Sequence, residues 1–223
     1  MKRGLNIRPE YSALVFAAFA WGVMFWEAWE RKQWSCCHPR ATLVDEARGW
    51  ILMIFAMMLP FTYPVLKVLV ERSYRRRRVQ TVVGYVKGYV AIWLLPLAIV
   101  LPLRSTSLGH EMILASLLCL FAALWTLHPA REKFHRSCHR EISIRPEGWA
   151  ANYDACRQGV LHAIPCFGSC LFLMIACTVT HHHFVIMIGG TLLVAFENKM
   201  LFFRHRALAA GEAALGIWTL FLI

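Results

Sequence analysis

GVLHAIPCFGSCLFLMIACTV, at residues 159–179, contains no Asp, Glu, Lys or Arg. A helix needs about 20 predominantly apolar residues to cross the hydrocarbon core of a bilayer. Because lipid offers no hydrogen-bond partner to the backbone, an apolar run of this length that does not alternate with polar residues is typical of a membrane-spanning helix. These residues therefore predict a chain that enters a membrane.

The rest of the chain has the same character. Of its 223 residues, 58% are apolar and 17% charged, against about 25% charged in an average soluble domain. The composition excludes a soluble enzyme, a disordered chain and a β-barrel, and predicts an all-α, polytopic membrane helix bundle that forms a single domain over residues 1–223. The expected spans number about seven and lie near residues 11–29, 50–69, 82–103, 112–127, 159–179, 184–201 and 207–223.

The first apolar block begins like a signal peptide, since Met1 to Arg8 is basic and Ala18 to Ala20 resembles a cleavage site. The apolar run nevertheless continues through Trp26, which predicts a spanning helix. With seven spans, 17 Lys and Arg lie on one side of the membrane and five on the other. By the positive-inside rule the N-terminus is cytoplasmic and the C-terminus periplasmic, in a bacterial inner membrane.

The net charge of +11 is therefore mainly a topology signal. The arginines at residues 75–78 adjoin a helix end, where such a run typically meets anionic lipid headgroups; membrane lipid is an expected partner and nucleic acid is not. Within the spans, Lys67 and Lys87 can reach toward the headgroups. Glu197 and Glu212 are expected to form pairs, or to accept a proton or a cation.

Two sequence features predict how the helices pack. Gly84 and Gly88 form a G-x-x-x-G pair, and Gly189 with Gly190 offers a second point of close approach. Prolines inside the spans should bend their helices and free backbone carbonyls for other partners. These prolines are Pro60, Pro64, Pro96 and Pro165.

The fifth span carries a series of potential metal ligands at helical spacing. Its members occupy positions i, i+4, i+8, i+12 and i+15, which is one face of an α-helix; they are His162, Cys166, Cys170, Met174 and Cys177. The second span adds Met53, Met57 and Met58 at matching depth. Thiolates and thioethers favour Cu(I). The alternative is that these are ordinary apolar packing residues.

Loops on the predicted outer side form a second group. Cys36, Cys37 and His38 lie in the first loop, His110 and Glu111 in the third, and the fifth contains His181, His182 and His183. If the three loops converge on the outer side, their imidazole and carboxylate groups would suit Cu(II) or Zn(II), and the two thiols would suit Cu(I). The alternatives are interfacial polar histidines and a structural disulfide at Cys36 or Cys37.

A third group lies in the predicted cytoplasmic loop 128–157. His135, Cys138 and His139 would share one face if this segment is helical, and a closed zinc site would need His128 or Cys156 in addition. The alternative is an amphipathic loop without metal.

Several of these elements together resemble a known bacterial family. The residues concerned are Ala56-Met57-Met58-Leu59-Pro60, Gly84-Tyr85 to Gly88-Tyr89, His128-Pro129 to Cys138, Cys166-Phe167-Gly168-Ser169-Cys170, and Glu197 with Lys199. Over residues 50–201 the chain is similar to predicted metal-binding integral membrane proteins, a domain of unknown function sometimes labelled copper chaperone. The resemblance implies metal binding and a membrane location.

The chain departs from that family pattern at two positions. The pattern has a further cysteine where this chain has Phe134, and a Cys-Cys pair where it has Ser169-Cys170. Each change removes a ligand. The expectation is that this member either holds metal with fewer thiolates, using His135, His139 or His162, or has lost the metal.

Two functions follow as hypotheses. The leading one is membrane-embedded binding and handover of a soft metal ion, copper as Cu(I) with zinc as second candidate, to a metalloprotein recipient. The alternative is a non-catalytic accessory or assembly subunit of a larger membrane complex. An enzyme ranks third, because the sequence contains no nucleotide-binding loop, no Ser-His-Asp arrangement and no C-x-x-C-H haem motif.

The topology is testable with reporter fusions. Fusions after Arg78 and after Ile144 should report the cytoplasm, and a fusion at Ile223 should report the periplasm, because the basic loops stay inside. A cytoplasmic C-terminus would separate Cys36, His110 and His181 onto different sides and contradict the outer metal cluster.

Overall fold

The chain is predominantly helical in the part that the structure, a computed structural model, describes: residues 9–33, 42–98, 111–137, 145, 149–179, 184–199 and 204–220. No strand occurs among these residues, which confirms the all-α prediction. The α-helices are α1 (Ser12–Gln33), α2 (Leu43–Met53), α3 (Tyr63–Glu71), α4 (Arg78–Leu94), α5 (Glu111–Leu127), α6 (Pro129–Ser137), α7 (Trp149–Val179), α8 (Phe184–Lys199) and α9 (Arg204–Leu220).

Each of the seven apolar blocks contains helical residues in the part of the chain that the structure describes. Three helical stretches are long and apolar enough to cross a membrane: Pro9–Glu30, Leu43–Glu71 and Trp149–Val179. Ile113–Leu127 and Ile186–Phe196 are shorter apolar helices. Outward-facing side chains such as Phe19, Leu124 and Leu192, each more than 60% exposed, form the kind of apolar surface that faces lipid. The number of spans and their orientation stay predictions.

The second and fifth blocks begin earlier than the hydropathy pattern predicts. Helix α2 starts after Thr42, whose hydroxyl accepts a hydrogen bond from the Asp45 backbone N–H while the Asp45 carboxylate accepts one from the Thr42 N–H. This capping box satisfies two backbone donors at the helix start. The earlier start was missed because capping residues are polar and lie outside an apolar run.

Helix α7 has 31 residues, a length of about 46 Å against about 30 Å for a hydrocarbon core. Its first turns therefore precede the predicted span. There Arg145 forms a two-pronged ion pair with Asp154, at 2.8 and 2.9 Å. Hydrogen bonds from the Arg145 guanidinium lower the pKa of Asp154 to about 2.

Helices α4 and α7 approach each other at backbone distance. A Cβ atom at Gly88 would lie 2.1 Å from the Cys156 carbonyl oxygen, and one at Gly159 would lie 2.1 Å from the Tyr85 carbonyl oxygen. Gly84 is also at this contact, 3.3 Å from the Ala155 Cβ. The predicted close approach at the G-x-x-x-G pair is confirmed, and Gly159 is its counterpart on α7.

The remaining helices surround this pair. Helix α5 packs against α7 on one side and α9 on the other, and the short α6 lies along α7. Helix α1 packs on the segment between α2 and α3, and α8 contacts α1, α7 and α9. The buried core therefore lies between α1, the α2–α3 segment, α4, α7 and α8.

Substitution at the glycine contact tests this packing. Gly88→Ala should lower the free energy of unfolding by about 1–3 kcal/mol, since an overpacked contact forces the two backbones apart. The measurement is thermal or denaturant unfolding in detergent. Gly22→Ala is the matched control, because nothing lies within 4 Å of its Cβ position; it should be neutral or gain up to about 1 kcal/mol. An equal decrease in the free energy of unfolding in both variants would contradict the close contact of α4 and α7.

Candidate metal-binding core

The described candidate ligands all face the bundle interior. Met57, Met58 and Met174 are fully buried, Cys170 and His162 are buried, and Cys166 is half-buried. The remaining candidates lie outside the described residues, so the structure does not place them. These are Cys36, Cys37, His38, Cys138, His181, His182 and His183.

The core is rich in sulfur beyond the predicted ligands. One contiguous buried cluster contains sulfur residues from five parts of the fold: Met24, Met53, Met57, Met58, Cys119, Cys170, Met174, Cys177 and Met187. Of these, Met24, Cys119 and Met187 were not among the sequence candidates, because none of them belongs to a series of ligands at helical spacing and only packing brings each to the others. The described cysteines are thiols rather than disulfides.

Sulfur dominates this core to the near exclusion of other ligand types. Among the described residues, no three His, Cys, Asp or Glu side chains come together as a metal site would require. The buried carboxylate of Glu212 accepts a 2.6 Å hydrogen bond from the Thr126 hydroxyl, at the contact of α5 and α9. The side chain of Glu197 lies outside the described residues.

Met57 and Met58 lie in an irregular segment rather than a continuous α-helix. Residues Ile54–Met58 form a π-helical turn and Leu59–Thr62 a 3₁₀ turn. Pro60 has no N–H to donate to the Ala56 carbonyl four residues earlier. The indole N–H of Trp21, from α1, donates to that carbonyl at 2.9 Å, which confirms that a proline frees a carbonyl here. Such π-turns are frequent at functional sites.

The side chain of Met57 reaches the interface of α7 and α8. Its terminal methyl group and a methyl group of Leu173 each lie 3.3 Å from the Cβ position of Gly190. Leu173 precedes Met174 in α7, so the Met57 side chain packs beside the turn of α7 that contains Met174. A larger residue at Gly190 would displace these groups.

Two tyrosines of α4 face the first two ligands of α7. The Tyr85 hydroxyl is hydrogen-bonded to Nδ1 of His162, and the Tyr89 hydroxyl lies 3.2 Å from Sγ of Cys166. The His162 and Tyr89 rings meet edge to face at 5.7 Å. Both tyrosines are fully buried. These contacts orient the side chains of His162 and Cys166. The sequence does not predict them, because each tyrosine and its partner lie on different helices and meet only in the tertiary structure.

The structure describes both positions at which the chain departs from the pattern of the family that it resembles. The Phe134 ring packs across the contact of α6 and α7, 3.2 Å from the Cβ position of Gly168. The Ser169 hydroxyl donates to the Pro165 carbonyl within α7 at 3.0 Å. One side chain is therefore used in packing and the other in an internal hydrogen bond.

Comparison with protein families identifies the chain. The family model PpoB2, described as copper chaperone, matches residues 47–222. The chain is a member of this copper chaperone family. The match confirms the copper-related part of the resemblance and extends beyond residues 50–201 to the end of α9. Neither the curated proteins nor the solved structures compared with the chain give a match.

Helix α1 precedes the segment matched by the copper chaperone family, yet it completes the core. It supplies Met24 to the sulfur cluster and Trp21 to the Ala56 carbonyl. The matched segment on its own would expose one side of the π-helical turn.

Removal of the Trp21 donor tests this contact. Trp21→Phe should lower the free energy of unfolding by about 1–3 kcal/mol, because it withdraws the indole hydrogen bond from a buried carbonyl. Trp26→Phe is the matched control, since Trp26 is on the same helix and 62% exposed; it should change stability by less than about 0.5 kcal/mol. Unfolding in detergent measures both, and equal effects would show that the hydrogen bond contributes nothing.

Proposed function

We propose that this protein binds Cu(I) in a membrane-embedded, sulfur-rich core and hands it over to a recipient metalloprotein. The observation that carries the proposal is that thioethers of the π-helical turn and sulfur residues of α7 belong to one buried cluster in a member of a copper chaperone family. The proposed ligands are Met57, Met58, Cys166 and Cys170. The proposed location is a bacterial inner membrane.

The chemistry of the core favours Cu(I) over other ions. Thioethers and thiolates are soft ligands that select Cu(I), whereas Mg²⁺ and Ca²⁺ require oxygen ligands. A structural zinc site is closed by four Cys, His or carboxylate ligands, and the described residues bring no three of these together. A monovalent ion is also the least costly to hold in an apolar interior.

The arrangement of ligands along α7 supports movement of the ion. Residues four apart in a helix are separated by about 6 Å along its axis, so His162, Cys166, Cys170 and Met174 form steps of that size. The ion, which is the cargo, exchanges one ligand at a time and stays coordinated at each step. The predicted outer group, with His181 to His183 and Cys36 to His38, would be the place of entry or release.

The two tyrosines have a supporting role in this proposal. A group that is hydrogen-bonded to a metal ligand fixes its orientation and tunes its affinity. Tyr85 does this for His162 and Tyr89 for Cys166. Neither tyrosine is proposed as a ligand.

Cu(I) binding by the purified full-length chain tests the function. Replacing both Cys166 and Cys170 by Ser should weaken binding at least about tenfold, since loss of even an outer partner of a metal ligand costs about 10–100-fold. The measurement is anaerobic competition with a chromogenic Cu(I) chelator in detergent. Serine is close to cysteine in size, so the bundle should stay folded. A double Met57→Leu, Met58→Leu variant, which conserves volume, should also weaken binding.

Cys156→Ser is the matched control. Cys156 is on α7 but packs against Gly88 rather than facing the sulfur cluster, so this variant should bind Cu(I) like the natural chain. Unchanged Cu(I) affinity in both the cysteine and the methionine variants would exclude the proposed site. The sulfur residues would then be packing, and the accessory-subunit hypothesis would replace metal handover.

A further inference from the structure

A deep groove opens on the outside of the bundle, away from the sulfur cluster. It lies between α1, the α2–α3 segment and α4, and its volume is about 480 Å³. Aromatic side chains from α1 and the π-helical turn, Phe16, Phe19 and Phe55, form much of its wall, and Val83 and Lys87 of α4 form its edge.

The lining of the groove is almost entirely apolar, and Lys87 is the charged residue among its described members. Lys87 lines it and is exposed, and no described residue forms an ion pair with its ammonium group. A charged side chain within a spanning segment is costly and normally has a partner. An unpaired cation at the edge of an apolar groove is complementary to a molecule with an anionic group and a hydrocarbon chain.

Further basic side chains lie near the start of α4. Side chains on a helix lean toward its N-terminus, so the Lys87 ammonium extends toward that start, and Arg75 and Arg76 are exposed just before it. The turn Pro9–Tyr11, which leads into the groove residue Ser12, packs on α4.

We propose that this groove binds an anionic phospholipid, with one acyl chain along α1 and α4 and the headgroup phosphate on Lys87. The volume lies within the range of about 300–1,000 Å³ that is usual for small-ligand sites. A zwitterionic lipid would leave the positive charge of Lys87 uncompensated.

Lipid titration of the purified chain tests the proposal. Phosphatidylglycerol and phosphatidylcholine with identical acyl chains are added to the delipidated protein in detergent, and binding is followed by thermal unfolding and native mass spectrometry. Phosphatidylglycerol should raise the unfolding midpoint and be retained as one molecule per chain, because a ligand that binds the folded state stabilises it. Phosphatidylcholine should bind more weakly. Glycerol phosphate, which lacks acyl chains, should have no effect.

Two variants, each with a control, test separately the contribution of the groove's shape and that of the Lys87 charge to lipid binding. Val83→Trp fills the groove and should abolish retention of phosphatidylglycerol. Its matched control is Leu94→Trp, since Leu94 is on the same helix and similarly exposed, 38% against 45%, but does not line the groove. Lys87→Gln should weaken phosphatidylglycerol binding about fivefold, the equivalent of about 1 kcal/mol per basic residue near an anionic lipid. Lys67→Gln, at an exposed lysine of α3, should not.

Two results would overturn the proposal. Equal binding of the two lipids would show ordinary contact with the surrounding bilayer, and equal losses in Val83→Trp and Leu94→Trp would place the lipid elsewhere. None of these residues belongs to the proposed copper site, so Cu(I) affinity should be the same in all four variants. Failure of lipid binding would therefore not contradict the proposed Cu(I) function. Failure of Cu(I) binding would likewise not contradict the lipid site.

Discussion

The close contact of α4 and α7 is the constraint on which the site depends. At Gly88 and Gly159 each backbone lies where a Cβ atom of the other helix would be. Only at this separation do the hydroxyls of Tyr85 and Tyr89 reach His162 and Cys166. In a membrane, which is the proposed location, there is little hydrophobic force between helices, so such close packing by small residues is a main source of association. The glycines thereby determine the orientation of His162, the first step of the proposed path, and of the proposed ligand Cys166.

A second theme is the satisfaction of backbone carbonyls by indole groups. Trp21 donates to Ala56, Trp50 to the Trp93 carbonyl, and Trp125 to the Gly168 carbonyl. Each bond joins two elements that are far apart in sequence. An apolar environment supplies no water to a carbonyl that lacks a helical partner, so the indoles of Trp21 and Trp50 serve backbone in the π-helical turn and near the end of α4, and that of Trp125 connects α5 to the middle of α7. The π-helical turn that positions the two methionines is kept by one of them.

Phe134 and Ser169 are the two positions at which the resemblance implies further cysteines. The Phe134 ring packs against Gly168 at the contact of α6 and α7, and the Ser169 hydroxyl is bonded to the Pro165 carbonyl. Buried methionines are abundant in the core. The proposed Cu(I) site therefore uses thioethers as well as thiols, and thioethers need no deprotonation before they bind a metal.

The amino-acid sequence by itself determined the all-α class, the long apolar helices, the spacing of sulfur residues along α7 and the copper-related family, because these follow from hydropathy and from patterns within single segments. The tertiary structure alone decided which faces meet. The place of Met24, Cys119 and Met187 in the sulfur core, the tyrosine partners of His162 and Cys166, and the groove beside Lys87 all join residues from different helices. Apolar helices resemble one another on every side, so hydropathy contains little information about their pairing, and only small residues, prolines and hydrogen-bond donors select one arrangement.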